Sequence, residues 1–294
     1  MRLSGRIAVA LLIVLVGVCA VEAADWPQFH GPARGGTSPE TGLMKQWPQG
    51  GPAELWSCEG LGQGYSSVAV VGGVAYTCGM IRDQGYLFAI DSQGKVKYKV
   101  TYGSEWDKAG NSPGTRTTPT IDGDRLYLMS GRGRIACHNA ANGDRIWSVD
   151  TLEKFGGKNI RWGIAESVLI DGDKVICTPG GKDAAVVALN KMNGETVWTS
   201  KGLSQLSAYC SPILVERGAK RLILTLVEKA FTGLDADTGQ VYWAVPHEVS
   251  YDIQAVSPLC DDGMVFITNG YRHGSRGFAL SPDGTSAEQK WSAK

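Results

Sequence analysis

The stretch ALNKMNGETVW at residues 188–198 decides the fold, because copies of it recur along the chain. A second clear copy reads LDADTGQVYW at residues 234–243, and looser copies occupy residues 87–98, 135–147 and 277–291. The turn glycines of the five copies are separated by 49, 51, 45 and 45 residues: Gly94, Gly143, Gly194, Gly239 and Gly284. A unit of about 40 to 50 residues is typical of one four-stranded β-propeller blade, which must stack on neighbours to bury both faces.

Each copy of the phrase has a physical interpretation. Asp or Asn opens a tight turn by bonding its own backbone two residues on, and Gly supplies the positive φ that the turn needs. A large aromatic residue then follows on the outer strand, where we expect it to dock between adjacent blades. The predicted docking residues are Trp56, Tyr98, Trp147, Trp198, Trp243 and Trp291.

A second repeated phrase lies upstream of each turn and predicts another hairpin. Two apolar runs joined by Gly-Gly or Asp-Gly sequences occupy residues 67–76, 118–127, 167–176 and 257–266, with a longer polar turn in the copy at 211–224. Helical periodicity is nearly absent outside the N-terminus. The sequence therefore predicts an all-β fold, with a propeller over residues 53–294 and blades near residues 57–100, 115–150, 165–200, 208–246 and 255–293.

The ends of the predicted propeller suggest an unfinished ring. Residues 53–57 resemble a lone outer strand, which in a closed ring would complete a blade whose three inner strands are not found in the sequence. An open ring would leave sheet edges exposed. We therefore expect five visible blades of an incomplete seven- or eight-bladed ring, with residues 24–52 as an N-terminal extension packed on it.

The first 23 residues have the pattern of a secretory signal peptide. Arg2 and Arg6 precede an apolar stretch at residues 7–18, and small residues lie before Ala24, where we expect cleavage. A membrane anchor is the alternative, but about 12 apolar residues are too few to span a bilayer comfortably. Cys19 could carry a lipid, yet the bulky Val18 before it disfavours that modification. The predicted location is periplasmic or extracellular, with no transmembrane span and no lipid anchor.

Charge and cysteine content exclude several classes of protein. The chain has 29 Lys and Arg against 29 Asp and Glu, without a basic run, which disfavours a nucleic-acid partner. Six cysteines remain after the predicted cleavage and are scattered one to a strand. We interpret them as small buried hydrophobic residues, with disulfides as the alternative. No Cys-x-x-Cys or Cys-x-x-Cys-His motif supports zinc or attached haem.

Together with the opening phrase DWPQFHGP at residues 25–32, the repeat resembles the pyrroloquinoline-quinone-like β-propeller proteins. That family includes quinoprotein alcohol dehydrogenases and a non-enzymatic periplasmic subunit that helps to assemble outer-membrane β-barrels. The resemblance spans Asp25 to Lys294. It implies the propeller fold more strongly than an activity, because the Trp phrase docks blades in catalytic and non-catalytic members alike.

The resemblance to dehydrogenases implies a specific catalytic arrangement. A planar quinone lies at the ring centre, Ca²⁺ held by oxygen ligands polarises it, an Asp acts as base, and in many members a disulfide between adjacent cysteines covers one face. This chain has no adjacent cysteines. The favoured hypothesis is therefore an exported, non-catalytic scaffold without a cofactor that binds an envelope protein or peptide. A dehydrogenase of alcohols or sugars that uses pyrroloquinoline quinone and Ca²⁺ is the alternative, followed by unrelated hydrolase or lyase chemistry.

Candidate ligand-binding residues lie just before the predicted inner strands, which converge on the propeller axis. They are Arg116, Trp162, Glu166, Tyr209, Tyr251, Asp252 and Gln254. Glu166 could bind a cation or a basic group of a partner, or it could pair with Arg116 or Arg161. Trp162 could stack on a flat ligand or simply fill the crowded axis.

No catalytic or metal site emerges from the remaining polar residues. The four histidines, His30, His138, His247 and His273, fall at unrelated places in the repeat, so nothing in their spacing predicts a shared metal. Hydroxyl residues recur at one position in successive blades: Thr118, Ser167, Ser211 and Ser257. Recurrence in several blades predicts bonds to the backbone rather than nucleophilic roles.

Overall fold

A computed structural model describes residues 23–107 and 112–294. Cys19 and nearly all of the predicted signal peptide lie outside these residues. The strands of blade 1 are β1 (Ala69–Val71), β2 (Val74–Ile81), β3 (Gln84–Ile90) and β4 (Val96–Ser104), and those of blade 2 are β5 (Thr120–Asp122), β6 (Arg125–Met129), β7 (Arg134–Asn139) and β8 (Arg145–Asp150).

Three further blades follow along the chain. Blade 3 contains β9 (Leu169–Asp171), β10 (Lys174–Cys177), β11 (Val187–Asn190) and β12 (Thr196–Thr199). Blade 4 contains β13 (Ile213–Arg217), β14 (Lys220–Val227), β15 (Ala230–Asp235) and β16 (Val241–Pro246). Blade 5 contains β17 (Leu259–Asp261), β18 (Met264–Asn269), β19 (Gly274–Leu280) and β20 (Ala287–Ala293).

Each blade is a four-stranded antiparallel sheet whose strands neighbour one another in chain order. This architecture confirms the predicted all-β propeller fold. The described residues include one short helix, α1 (Thr151–Phe155), after the outer strand of blade 2. Its ends follow local rules, because the Asp150 side chain accepts a bond from the Glu153 N–H and Gly156 adopts the left-handed conformation at the C-terminus.

The aromatic residues on the outer strands of blades 1 to 4 contact the turn of the following blade. The indole N–H of Trp147 donates to the Lys191 carbonyl at 3.0 Å, and that of Trp198 donates to the Ala236 carbonyl at 3.1 Å. Trp243 reaches the Gly284 carbonyl at 3.1 Å in the same way. These bonds join blades 2 to 3, 3 to 4 and 4 to 5.

The turn glycine is required by this contact as well as by its own backbone. A Cβ at Gly239 would lie 2.4 Å from the Trp198 ring, and the residue has a φ of +73°. Any side chain would therefore strain the turn and displace the indole. Tyr98 follows the same pattern with a 3.0 Å bond to the Ala140 carbonyl, whereas Trp291 of blade 5 remains 42% exposed.

Residues 53–57 do not form the outer strand that the sequence suggested. They make no β-bridge with another described residue, so the hydrogen-bonded ladder that defines a strand is missing. The Trp56 ring nevertheless lies over the turn of blade 1, where a Cβ at Gly94 would be 2.9 Å from it.

The core consists of apolar layers between neighbouring sheets, one for each of the four adjacent pairs of blades. The six cysteines among the described residues are free thiols, and Cys78, Cys137, Cys177 and Cys210 are buried in these layers. This agrees with the interpretation of cysteines as small hydrophobic residues for those four. Cys58 and Cys260 are half-buried.

The N-terminal segment lies along the first strands of blades 1 and 2. Trp26 forms a β-bridge with Val70 of β1, with N–H···O distances of 2.7 and 2.8 Å. The Pro27 carbonyl accepts a 2.8 Å bond from the Ile121 N–H of β5. These bonds bring the phrase at residues 25–32 to the inner side of the propeller.

Candidate functional site: the axial cavity

A cavity of about 450 Å³ opens where the segments leading into the first strands meet. Its lining combines aromatic, cationic and small residues from the linkers and the N-terminal segment: Phe29, Tyr65, Ser112, Arg116, Trp162, Ala165, Ser167, Tyr209, Ser211, Ile253 and Ala255. The volume falls within the range of small-ligand and peptide sites. We call it the axial cavity.

A chain of hydroxyl groups builds the wall of the axial cavity. The Thr118 N–H donates to Ser167 Oγ, and the Ser167 N–H donates to Ser211 Oγ, both at 2.9 Å. The chain continues with the Ser211 N–H donating to Ser257 Oγ at 3.2 Å. Each hydroxyl therefore ties its blade to the backbone of the preceding blade.

Three predicted residues, Arg116, Trp162 and Tyr209, come together in the cavity. The centres of the Trp162 and Tyr209 rings lie 6.1 Å apart. The Tyr209 hydroxyl accepts a 3.4 Å hydrogen bond from the backbone N–H of Trp162. The Arg116 guanidinium donates to the Gly114 carbonyl at 2.7 Å and also to the Ser112 carbonyl. It lies 5.7 Å from the centre of the Tyr65 ring. The backbone bonds thus hold a cation beside the aromatic walls.

Burial changes the proton affinities of the cavity residues. It raises the pKa of Tyr209, so the phenol stays protonated at neutral pH and can donate a hydrogen bond. It lowers the pKa of Arg116, an effect that the charge of Glu105 opposes. The guanidinium nevertheless remains cationic at neutral pH, because an arginine pKa starts far above that range.

An aromatic and cationic rim surrounds the mouth of the cavity. The Arg161 guanidinium lies 4.6 Å from the centre of the Trp162 ring and 5.7 Å from that of Tyr251. Tyr251 meets Trp162 edge to face at 6.5 Å and Tyr271 at 5.6 Å. Tyr251 and Tyr271 remain about 60% exposed and therefore present large amphipathic surfaces to a ligand.

Glu166 is fully buried and does not line the cavity. Its Oε2 accepts bonds from the Thr178 N–H, at 2.9 Å, and from the Thr178 hydroxyl, while its Oε1 has no partner. Burial raises its pKa to about 7, and the charge of Arg34 partly opposes this shift. The suggested ion pair with Arg116 or Arg161 is wrong, because no described cation lies within 4.0 Å of the carboxylate.

Asp252 and Gln254 also lie outside the lining of the cavity. The amide nitrogen of buried Gln254 donates to the carbonyls of His247, at 2.7 Å, and Glu228, at 3.2 Å. Half-buried Asp252 ends a 3-10 turn and adopts a positive φ of 55°. These two residues shape the loop that brings Ile253 to the cavity.

Sequence reasoning missed the contribution of the N-terminal segment. Phe29 lines the cavity, and the buried guanidinium of Arg34 donates to the Ser167 carbonyl at 3.0 Å, the Pro212 carbonyl at 2.8 Å and the Val168 carbonyl. Burial lowers the pKa of Arg34 only to about 10, so the buried guanidinium is still a cation at neutral pH. The phrase at residues 25–32 was the available signal, but it contains no repeat that would place it.

No described residue that lines the axial cavity is a carboxylate that could hold the Ca²⁺ of a quinone site. Calcium takes six to eight oxygen ligands, whereas the Glu166 carboxylate is committed on one side to Thr178 and lies behind the cavity wall. No group of three or more His, Cys, Asp and Glu residues converges anywhere in residues 23–107 and 112–294. One face of Trp162 is also covered by Arg161.

No helix in the described part of the chain has the length and apolar character needed to cross a membrane.

Comparison with known proteins links the repeat to one family. A family model described as outer membrane protein assembly factor BamB matches residues 48–294. The curated BamB of Bordetella pertussis is 27% identical over 160 residues, which cover 53% of this chain and 38% of the relative. The chain thus spans less than two fifths of the length of that relative.

Solved structures share the fold at low sequence identity. BamB from Moraxella catarrhalis superposes with a TM-score of 0.55 and 18% identity, over 79% of this chain and 63% of that one. The quinohemoprotein alcohol dehydrogenase from Comamonas testosteroni gives a TM-score of 0.53 and 13% identity, over 92% and 67%. A europium-containing methanol dehydrogenase gives 0.55 and 12%, over 78% and 61%. At these identities the likeness concerns the propeller fold alone.

Proposed function

Because the chain belongs to the family of outer membrane protein assembly factor BamB, we propose that it is an exported, non-catalytic propeller that binds a protein or peptide partner in the cell envelope. Residues 1–23 direct its export, and it acts in the periplasm. Its contribution to outer-membrane protein assembly is to hold a partner, without a cofactor.

The single observation that carries the proposal is the composition of the axial cavity. Arg116, Trp162 and Tyr209 converge there, and Tyr65 and Tyr251 stand exposed at its mouth. Arginine, tryptophan and tyrosine are the residues most enriched among the energetic hot spots of protein interfaces. The cavity hydroxyls of Ser167 and Ser211 accept backbone N–H bonds, and no histidine lines the cavity as a base.

The quinone-dependent dehydrogenase is the competing function, and it draws on the propeller likeness alone. It would need several oxygen ligands for Ca²⁺, and none of the described residues that line the cavity is a carboxylate. The two functions make opposite predictions for the same purified protein. One predicts a retained protein partner, and the other predicts a bound quinone with dye reduction in the presence of an alcohol.

The experiment isolates the tagged full-length protein from the envelope of its native host and identifies retained proteins by mass spectrometry. Trp162→Ala removes the central aromatic wall, and Met192→Ala serves as a control because Met192 is 50% exposed on a turn between outer strands. We expect an outer-membrane or assembly protein to be retained by the wild type and by Met192→Ala, and lost with Trp162→Ala. Stoichiometric binding of pyrroloquinoline quinone with Ca²⁺, dye reduction with alcohols and no retained protein would refute the proposal.

A further inference from the structure

We propose that the axial cavity binds a carboxylate side chain or carboxyl terminus of an extended acidic peptide, whose apolar neighbours pack on the cavity aromatics. This inference rests on the proposed protein-binding function and specifies the chemistry of the partner. It assigns to Arg116 and Arg161 the recognition of a negative charge.

Neither guanidinium has a carboxylate partner in the part of the chain that the structure describes. Arg116 and Arg161 are absent from every ion pair within 4.0 Å among the described residues. The acid whose charge most affects Arg116 is Glu105. That carboxylate is buried and already accepts bonds from the N–H groups of Trp106 and Gly131 and from the Tyr102 hydroxyl.

Backbone carbonyls hold the Arg116 guanidinium in a fixed orientation. Two of its five N–H donors are directed to the backbone carbonyls of Gly114 and Ser112, which fix the plane of the guanidinium. The remaining donors have no hydrogen-bond partner among the described residues, and an incoming carboxylate could accept from them. A fixed guanidinium loses less conformational freedom on binding than a mobile one, and its half-buried position reduces competition from water.

The axial cavity is small and has apolar walls. A volume of about 450 Å³ is too small for a folded surface and suits a few residues of an extended chain. Phe29, Trp162 and Ile253 supply apolar walls beside the cation. Asp252 lies close enough to influence Tyr209, and Glu105 close enough to influence Arg116, so the described charges around the cavity do not form a strongly basic patch. Such a site favours one carboxylate over a polyanion such as nucleic acid.

The test measures binding of C-terminally amidated (Glu-Phe)₃ and its uncharged counterpart, amidated (Gln-Phe)₃, by fluorescence anisotropy of an N-terminal label, with the full-length protein at low and high salt. A third peptide, (Gln-Phe)₃ with a free carboxyl terminus, distinguishes recognition of a terminal carboxylate from recognition of a side chain. We expect (Glu-Phe)₃ to bind at least about tenfold more tightly, and added salt to reduce this preference. Arg116→Gln and the exposed Arg161→Gln should each weaken (Glu-Phe)₃ binding several-fold and leave (Gln-Phe)₃ unchanged. Arg145→Gln, on the outer strand of blade 2, removes the same charge outside the cavity and serves as control.

Equal affinity of amidated (Gln-Phe)₃ and of both peptides that carry a carboxylate would overturn the inference, as would loss of (Glu-Phe)₃ binding to the same degree in Arg145→Gln. Thermal unfolding of each variant separates a lost contact from a lost fold. If Arg116→Gln does not fold, the exposed Arg161→Gln still tests whether a cation at the cavity recognises the carboxylate. If the protein retains an envelope partner but shows no preference for the acidic peptide, the proposed function stands and the carboxylate assignment is refuted.

Discussion

The hydroxyl of Ser167 accepts a 2.9 Å hydrogen bond from the backbone N–H of Thr118. This bond joins the segment that leads into blade 3 to the segment that leads into blade 2. Thr118 is buried as well as Ser167, so removal of the hydroxyl leaves a buried N–H without its partner. The same residue lines the axial cavity, and its carbonyl accepts a bond from Arg34. One position therefore contributes to blade stacking, to the cavity wall and to the seat of the N-terminal segment.

Ser167→Ala should destabilise the propeller by about 1–3 kcal/mol, because it leaves a buried donor unsatisfied. Ser167→Thr keeps the hydroxyl, as Thr118 does at the equivalent position of blade 2, and should retain most of the stability. Urea unfolding followed by tryptophan fluorescence measures both. An Ala variant as stable as the wild type would show that the hydroxyl chain does not hold the blades together.

Trp198→Ala should cost about 3–5 kcal/mol, since it removes a buried indole and leaves a cavity between blades 3 and 4. It also removes the bond to the Ala236 carbonyl. Trp47 is 63% exposed, so Trp47→Ala is a matched control with an expected change within about 0.5 kcal/mol. The comparison of the two denaturation midpoints provides the check. Similar midpoints for both variants would contradict the docking role of the repeated aromatic residue.

Arg34→Gln should loosen the N-terminal segment without unfolding the blades. The change removes charge-assisted bonds to the carbonyls of blades 3 and 4, which are worth more than neutral hydrogen bonds. Limited proteolysis with thermolysin should then cleave within residues 24–40 at least several-fold faster, while the fragment from residue 53 onward stays intact. Cleavage at the wild-type rate would mean that the Trp26 bridge to Val70 alone secures the segment.

Glu166→Gln should change the pH dependence of stability. Burial raises the carboxyl pKa from 4.5 to about 7, so the folded state binds the proton more tightly than the unfolded state. The stabilising contribution of the protonated form is complete below about pH 4.5 and is lost as the pH rises through 7, by at most about 3 kcal/mol. Glutamine mimics the protonated acid and removes this loss.

Unfolding free energies at pH 5 and pH 8 measure this effect. The variant should gain stability relative to the wild type at pH 8 and little at pH 5, and the exposed Glu54→Gln should show no such difference. A larger gain at pH 5 than at pH 8 would contradict the sign of the shift. Arg34→Gln should raise the pKa of Glu166 further, because the charge of Arg34 lowers it.

The repeat predicted the propeller because its residues encode local geometry. Asn190 and Gly194 determine a turn within five residues, and Trp198 then points to the next copy of the same turn, so both contacts follow from the period. Helix α1 was missed although Asp150 and Gly156 carry ordinary capping signals, because five residues give no periodicity to detect.

The axial site was harder to predict because it depends on residues that do not repeat. Arg116, Trp162 and Tyr209 could be placed near the axis from their position before the inner strands. Phe29 and Arg34 could not be placed, since both lie outside the repeat. The blade carbonyls that Arg34 contacts are more than a hundred residues away in sequence. The Glu166 side chain is oriented away from the cavity by its bonds from Thr178. No sequence motif connects these two residues, so this orientation could not be predicted.

The central claim, that the axial cavity holds a protein partner, is tested most directly by site-specific photocrosslinking in the native envelope. A photoreactive benzoylphenylalanine replaces Tyr65, which lines the cavity and is 62% exposed, or Met192 at the outer turn of blade 3 as control. The account predicts a discrete adduct from position 65 that contains an outer-membrane or assembly protein and disappears with Arg116→Gln. No adduct from position 65, together with adducts from position 192, would contradict it.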